Sequence, residues 1–166
     1  MEEISCESVS CGPARISALQ PRAVWGVLLA SDVREGRQKA PVRHWLAEGI
    51  GNDHVTGNFG NAILDNAFRI SDQEAEYMAH YILRHESLYV GCWSAMNCVG
   101  AVLAARRLKA AYEGTKVVTV VTVLCDSGNR GVSRFWNREF VEARGLNWPL
   151  PGDATLENLD FIEARP

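Results

Sequence analysis

A thiol, a carboxylate and a hydroxyl stand side by side at Cys125, Asp126 and Ser127, where the β-branched run VVTVVTVLC ends and a glycine follows. Such a trio is open to three uses. A serine hydroxyl at the carboxyl end of a buried strand can donate to a ligand held over the sheet edge, where loops and helix N-termini converge. A cysteine just before a helix can have its pKa lowered and act as a nucleophile. That use also needs a base, and no histidine lies nearby in the sequence. Aspartate and serine are also preferred helix caps, a purely structural role.

The other reactive side chains point to less chemistry. The five cysteines, at 6, 11, 92, 98 and 125, form an odd set without a C-x-x-C pair. That spacing fits reduced thiols better than a disulfide frame, and no metal site is expected from it. His80, Arg84 and His85 fall toward the end of a helical stretch, where the helix dipole favours cations, so they read as a solvated structural face. There are only three lysines, Lys39, Lys109 and Lys116. No G-x-G-x-x-G turn follows a strand, so a dinucleotide site is not expected.

The elements that must position Asp126 and Ser127 read as alternating strands and helices. From Ala23 to Ala30 the run AVWGVLLA is almost continuously apolar, the pattern of a strand covered on both faces. A weaker strand is expected in DNAFRI. Ser71 and Glu74 then form a capping box, with Ile70 placed as a staple and Ala75, Met78, Ala79 and Ile82 on one helical face. A short strand is expected over Leu88 to Gly91. A second helix opens at Ser94, with Ala95, Val99, Val102 and Leu103 as its apolar face and Gly100, Ala101, Ala104 and Ala105 permitting close approach of a neighbour. Lys116 to Cys125 is the strongest strand pattern in the chain, and a third helix is expected from Gly131 to Arg144 with Gly145 as its C-terminal cap. The fold class is therefore α/β: alternating βα units with a mostly parallel sheet. Residues 1–22 fit no element, 23–145 hold the alternating units, and 146–166 form an acidic tail expected to wrap the surface or stay partly mobile.

Composition sets outer limits. At 166 residues the chain suits one core, and its 47% apolar and 22% charged residues are ordinary for a globular protein. A formal net charge of -3 speaks against a nucleic-acid partner. No stretch reaches the roughly 18 apolar residues of a membrane span, and the start MEEISCESVS lacks the features of a signal peptide. The expected protein is soluble and cytoplasmic, with no membrane partner.

Four segments carry a resemblance. EGIG at 48–51, FRISDQEAEYMAHYILRHESLYVG at 68–91, WSAMNCVGAVLAARR, and VVTVLCDSGNRGVSRFWN at 120–137 are together similar to the C-terminal part of a cysteine synthase, collinearly from about Val24 to Trp136. That family belongs to the fold-type-II enzymes that use pyridoxal 5'-phosphate, with cystathionine β-synthases and tryptophan synthase β chains as relatives. The resemblance implies that 23–145 is a partial tryptophan-synthase-β-like domain. It also implies that Ser127 makes the hydrogen bond at the cofactor's pyridine nitrogen. A serine there cannot keep that nitrogen protonated, so the ring is a milder electron sink, suited to β-elimination rather than transamination. Gly49 is implied as a backbone contact to the cofactor, beside the alternative that it only makes a tight loop. Cys92 and Trp93 are bulkier than the small residues the family places there, and Gly131 stands where a tyrosine is usual.

The same resemblance marks what this sequence does not match. The family's Schiff-base lysine lies in an S-x-K-D-R-like motif, and none of Lys39, Lys109 and Lys116 sits in one. Its phosphate loop should fall shortly before Val24, where the sequence reads SVSCGPARISALQP with one glycine and a proline. No catalytic residue is therefore assigned. The implied reaction is β-replacement on O-acetyl-L-serine, a small-molecule amino-acid substrate, with sulfide to give L-cysteine, in a chain expected to be incomplete. The alternative is a non-catalytic half-fold that pairs with a full-length homologue or forms a homo-oligomer. By resemblance the compartment is the cytosol or the mitochondrion.

Overall fold

Ser71 caps the first long helix, α1 (Asp72–Glu86), by the reciprocal arrangement its sequence predicts. Its hydroxyl accepts from the Glu74 amide at 3.2 Å, and the Glu74 carboxylate accepts from the Ser71 amide at 2.8 Å. Behind the cap Ile70, Ala75, Met78, Ala79 and Ile82 are all buried, the face expected from their spacing. At the far end Ser87 takes the left-handed conformation that stops the helix. In this computed structural model the described residues are 20–23, 46, 67–112, 117 and 119–163.

The second helix, α2 (Cys92–Ala111), packs against α1 and begins two residues before the expected Ser94. Ala95, Val99, Gly100, Leu103 and Ala104 are buried, so the small residues do admit a close neighbour. α2 covers a two-stranded parallel sheet in which β1 (Gln20–Ala23) pairs with β2 (Ala67–Ile70), Gln20 opposite Ala67 and Ala23 opposite Ile70. β2 coincides with the weak strand read in DNAFRI. Most of the AVWGVLLA run lies outside the described residues.

Three expected elements differ. The strand over Leu88–Gly91 shrinks to a single antiparallel bridge between Val90 and Ser127, with Leu88 and Tyr89 exposed. For the strand expected over Lys116–Cys125, the described residues 117 and 119–125 have no strand partner among the described residues, and Val117, Val121, Val123 and Leu124 are exposed. β-branched runs of this kind are stable as strands only when neighbours complete their hydrogen bonds. The helix expected over Gly131–Arg144 is broken into a 3₁₀ turn at Gly128–Gly131, a bend, and a short helix α3 (Arg138–Glu142). Asn137 interrupts it by capping α3, accepting from the Phe140 amide at 3.0 Å, and local capping of this kind competes with helix continuation. Gly145, at φ +75°, does end the helical region as its position predicts.

The C-terminal stretch lies against the helices. Leu156 and Ile162 are buried, and Arg106 donates to the carbonyls of Ile162 and Leu159 at 2.9 Å each. Gln73 and Asn147 exchange two hydrogen bonds, and His85 Nε2 meets the Leu156 carbonyl at 2.7 Å. His80 sits between the Trp136 and Trp148 rings, each 4.6 Å from it, with Nε2 3.2 Å from Glu76 Oε1. Both histidines have structural roles, as expected, but His80, 14% exposed, is packed between rings rather than lying on a solvated face.

Candidate functional site

The end of the VVTVVTVLC run is organised by Asp126. Gly91, at the N-cap of α2, has no side chain to satisfy the first amides of that helix. The Asp126 carboxylate does so from 32 residues away, accepting from Ser94 N at 2.7 Å and from Trp93 N at 3.3 Å. Ser94, fully buried, donates its hydroxyl to the same carboxylate and accepts from the Asp126 amide at 3.0 Å. Asp126 is thus a cap, but for α2 rather than for the segment that follows it. A negative charge is well placed there against the helix dipole.

Close packing at this junction depends on two glycines. A Cβ on Gly91 would collide with the Asp126 carboxylate, and one on Gly128 would fall 2.6 Å from the Tyr89 ring. The backbone bonds Gly91 N to Asp126 O (3.1 Å) and Gly128 N to Tyr89 O (3.0 Å) tie the two segments together. Trp136 Nε1 closes the arrangement by donating to the Val90 carbonyl at 2.8 Å.

Ser127 follows in this frame, exposed and bridged to Val90. Its hydroxyl oxygen accepts from the Asn129 amide at 3.4 Å, capping the 3₁₀ turn, which leaves the hydroxyl proton available to another acceptor. Beside it opens a cleft of about 400 Å³ whose walls include Cys92, Trp93, Cys125, Asp126, Arg130 and Phe135. Ser127 lies outside those walls. Gly49 lies outside the described residues.

The thiols at the cleft do not form a nucleophilic centre. Burial pushes Cys92 well above the usual thiol range, reinforced by the Asp72, Asp126 and Glu76 carboxylates. Cys98 is pushed up to about 11, mainly by burial and secondarily by Cys125. Cys125 is exposed, with Asn97 Nδ2 3.6 Å from its sulfur.

A half-buried and a fully buried carboxylate, Asp72 and Glu76, escaped the sequence reading. Asp72 is raised to about 6 by burial, against the lowering effect of the Leu46 amide, which it accepts at 3.3 Å. Glu76, fully buried, is raised by burial against the lowering effect of its bond to His80. Asp72 Oδ1 and Glu76 Oε2 are buried without a hydrogen-bond partner among the described residues. The signal was present: 72, 75, 76 and 79 share one helical stripe, so two acids fall on the apolar face of α1.

Relatives with the same chain order decide the family. Cysteine synthase 2 of Schizosaccharomyces pombe is 34% identical over 150 residues, 89% of this chain and 35% of its own length. Cysteine synthase 2 of Neurospora crassa is 40% identical over 113 residues, 67% of this chain and 24% of its own length. The chain is a cysteine synthase homologue. Cysteine synthase of Dictyostelium discoideum, 40% identical over 116 residues, covers 70% of this chain with 28% of its own length. This homologue therefore spans between about a quarter and a third of the length of those relatives. No protein-family model matches it.

The described part of this homologue does not fit a whole pyridoxal phosphate site. Among the described residues the sole lysine is Lys109, exposed in the last turn of α2. At a rise of about 1.5 Å per residue it stands roughly 24 Å along the helix from the Asp126 cap at Trp93. It cannot reach a ring held at Ser127. The Ser127 hydroxyl is compatible with a ring-nitrogen contact, whereas the Schiff-base and phosphate-binding functions have no candidates among the described residues. Nor do these residues include a group of three acids, cysteines or histidines able to hold a metal ion, or a helix long and apolar enough to cross a membrane.

Proposed function

We propose that the chain supplies the ring-nitrogen side of a cysteine-synthase-type pyridoxal phosphate site. The reaction is β-replacement on O-acetyl-L-serine by sulfide to give L-cysteine, and it runs only when the lysine and phosphate cradle are completed elsewhere. The observation that carries this reading is Ser127, exposed and held in place by the Asp126 cap, with its hydroxyl proton uncommitted. Gly49 is the proposed backbone contact. The proposed domain is 23–145, with 1–22 and 146–166 as flanking segments, within a larger α/β fold of mostly parallel sheet. The cytosol or the mitochondrion is the proposed compartment.

The alternative is a non-catalytic half-fold that pairs with a complete homologue and modulates it. The Ser127 oxygen's role as a turn cap favours it, because that role explains the residue without a ligand. One experiment separates the two. The purified chain is incubated with pyridoxal phosphate, reduced with borohydride and searched by mass spectrometry for a phosphopyridoxyl group at Lys39, Lys109 or Lys116. Cysteine formation is then measured with and without a complete cysteine synthase. The expected outcome is no specific label and no turnover by the chain alone, and a change in turnover with the homologue that Ser127→Ala abolishes. A change that survives Ser127→Ala selects the non-catalytic reading, and stoichiometric labelling or turnover by the chain alone overturns both.

A further inference from the structure

Within its own turn the Ser127 hydroxyl is held by one long bond, from the Asn129 amide at 3.4 Å. A bond of that length fixes an exposed side chain weakly. The stronger hold comes from across the bridge. The bonds Gly91 N to Asp126 O and Gly128 N to Tyr89 O flank Val90 and Ser127, which makes these two a non-hydrogen-bonded antiparallel pair. In such a pair the Cα atoms approach to about 4.5 Å, and each residue's own amide and carbonyl turn away from the partner. The Val90 side chain, 4% exposed, therefore limits where Ser127 can point, and the Val90 carbonyl faces outward in need of a donor.

Trp136 Nε1 is that donor, at 2.8 Å. The same indole lies 4.7 Å, centroid to centroid, from the Tyr89 ring, so it holds two successive residues of the segment opposite Ser127. Tyr89 in turn packs over Gly128, where a Cβ would fall 2.6 Å from its ring. The indole is itself packed on several sides, with His80 at 4.6 Å, Phe135 at 5.8 Å and Trp148 at 6.4 Å. Behind it His80 Nε2 meets the fully buried Glu76.

We infer that Trp136 is a positioning residue for Ser127: its N–H and ring hold Val90 and Tyr89, which through the bridge set the direction of the hydroxyl that, under the proposed function, meets the cofactor's ring nitrogen. The target of the hydroxyl rests on that function, whereas its placement is a property of this chain. Asp126 secures the Gly91 side of the junction and Trp136 the Tyr89 side, so the two act on opposite flanks of Val90.

Trp136→Phe in the full chain tests this, because it keeps an aromatic ring between His80 and Tyr89 and removes the donor. By NMR the Gly91 and Gly128 amides are expected to exchange about tenfold faster or more, since a buried carbonyl is left unpaired. The Ser127 Hα–Hβ couplings are expected to pass from those of one staggered rotamer to averaged values. Met78 and Ala79, in α1, should stay within about twofold of the unaltered chain, because they open independently of the bridge. A packing role alone would accelerate all four amides alike and leave the Ser127 couplings unmoved, and that result overturns the inference.

Should Trp136→Phe lose its helical circular dichroism, hydrogen exchange on the unaltered chain decides. Equal protection of the Trp136 Nε1 proton and the Gly91 and Gly128 amides, as a shared opening requires, supports the inference. An indole proton that exchanges freely while those amides stay protected overturns it. The turnover assay with a complete cysteine synthase keeps the two claims apart. A change that survives Ser127→Ala removes the ring-nitrogen contact, whereas Ser127 couplings indifferent to Trp136→Phe remove Trp136 as the positioning residue.

Discussion

The helical pair α1 and α2 and the run from Thr119 to Cys125 lie side by side, are both rich in small and apolar residues, and meet opposite fates. Met78, Ala79, Ala95 and Val99 are buried between elements, whereas Val121 and Val123 stand in solvent. The difference lies in where backbone hydrogen bonds are made. A helix closes its own and needs only one face covered. A strand leaves every amide to a neighbour, and without one its side chains have no surface to pack on. Apolar content therefore measures what a segment can bury, not what it does bury.

Substitutions on the two sides of this comparison should differ most. Phe135→Ala, beneath the α2 junction where Phe135 is 2% exposed, is expected to destabilise by about 3–5 kcal/mol, read from urea unfolding. Asp126→Ala follows at about 1–2 kcal/mol, because it removes the α2 cap, although the buried Ser94 hydroxyl keeps the Asp126 carbonyl as an acceptor at 2.9 Å. Its effect on helical circular dichroism should centre on α2, and a loss below about 0.5 kcal/mol would separate the cap from the stability of the helical side.

Asp72 offers a smaller and pH-dependent effect. Its folded pKa of about 6 lies above the ordinary 3.8, so in that window the folded chain holds a proton that the unfolded chain has released. Stability should fall as pH rises through the window, the opposite of a salt-bridged carboxylate. Asp72→Asn should flatten that slope and raise stability near pH 8 by about 1 kcal/mol, since one pKa unit is worth about 1.4 kcal/mol. Thermal unfolding at two pH values checks the sign. Smallest of all is Val121→Ala, expected within about 0.5 kcal/mol of the unaltered chain in dilute solution because the side chain loses no packing. A cost above about 2 kcal/mol would mean that the run is covered after all.

Local chemistry was legible in the residues themselves. The capping box at Ser71 and Glu74, the apolar stripe of α1, the small-residue face of α2 and the left-handed Gly145 all follow from interactions within a few residues, and each is found where its pattern places it. The family was legible too, because collinear motifs survive in a chain that shares 34–40% of its residues with cysteine synthases. What the residues left undecided was every feature that needs a distant partner. Asp126 reads as a cap for the segment after it, yet it caps a helix that starts 34 residues earlier, because Gly91 leaves that helix end open and the bridge at Val90 brings the two together. Likewise Asp72 and Glu76 could be placed on a helical stripe by spacing alone, but only packing against the core strips their carboxylates of water. Residue order determines what each segment can bond to nearby; which distant groups arrive to complete it is decided by the tertiary structure, since burial and long-range hydrogen bonds are properties of the assembled core.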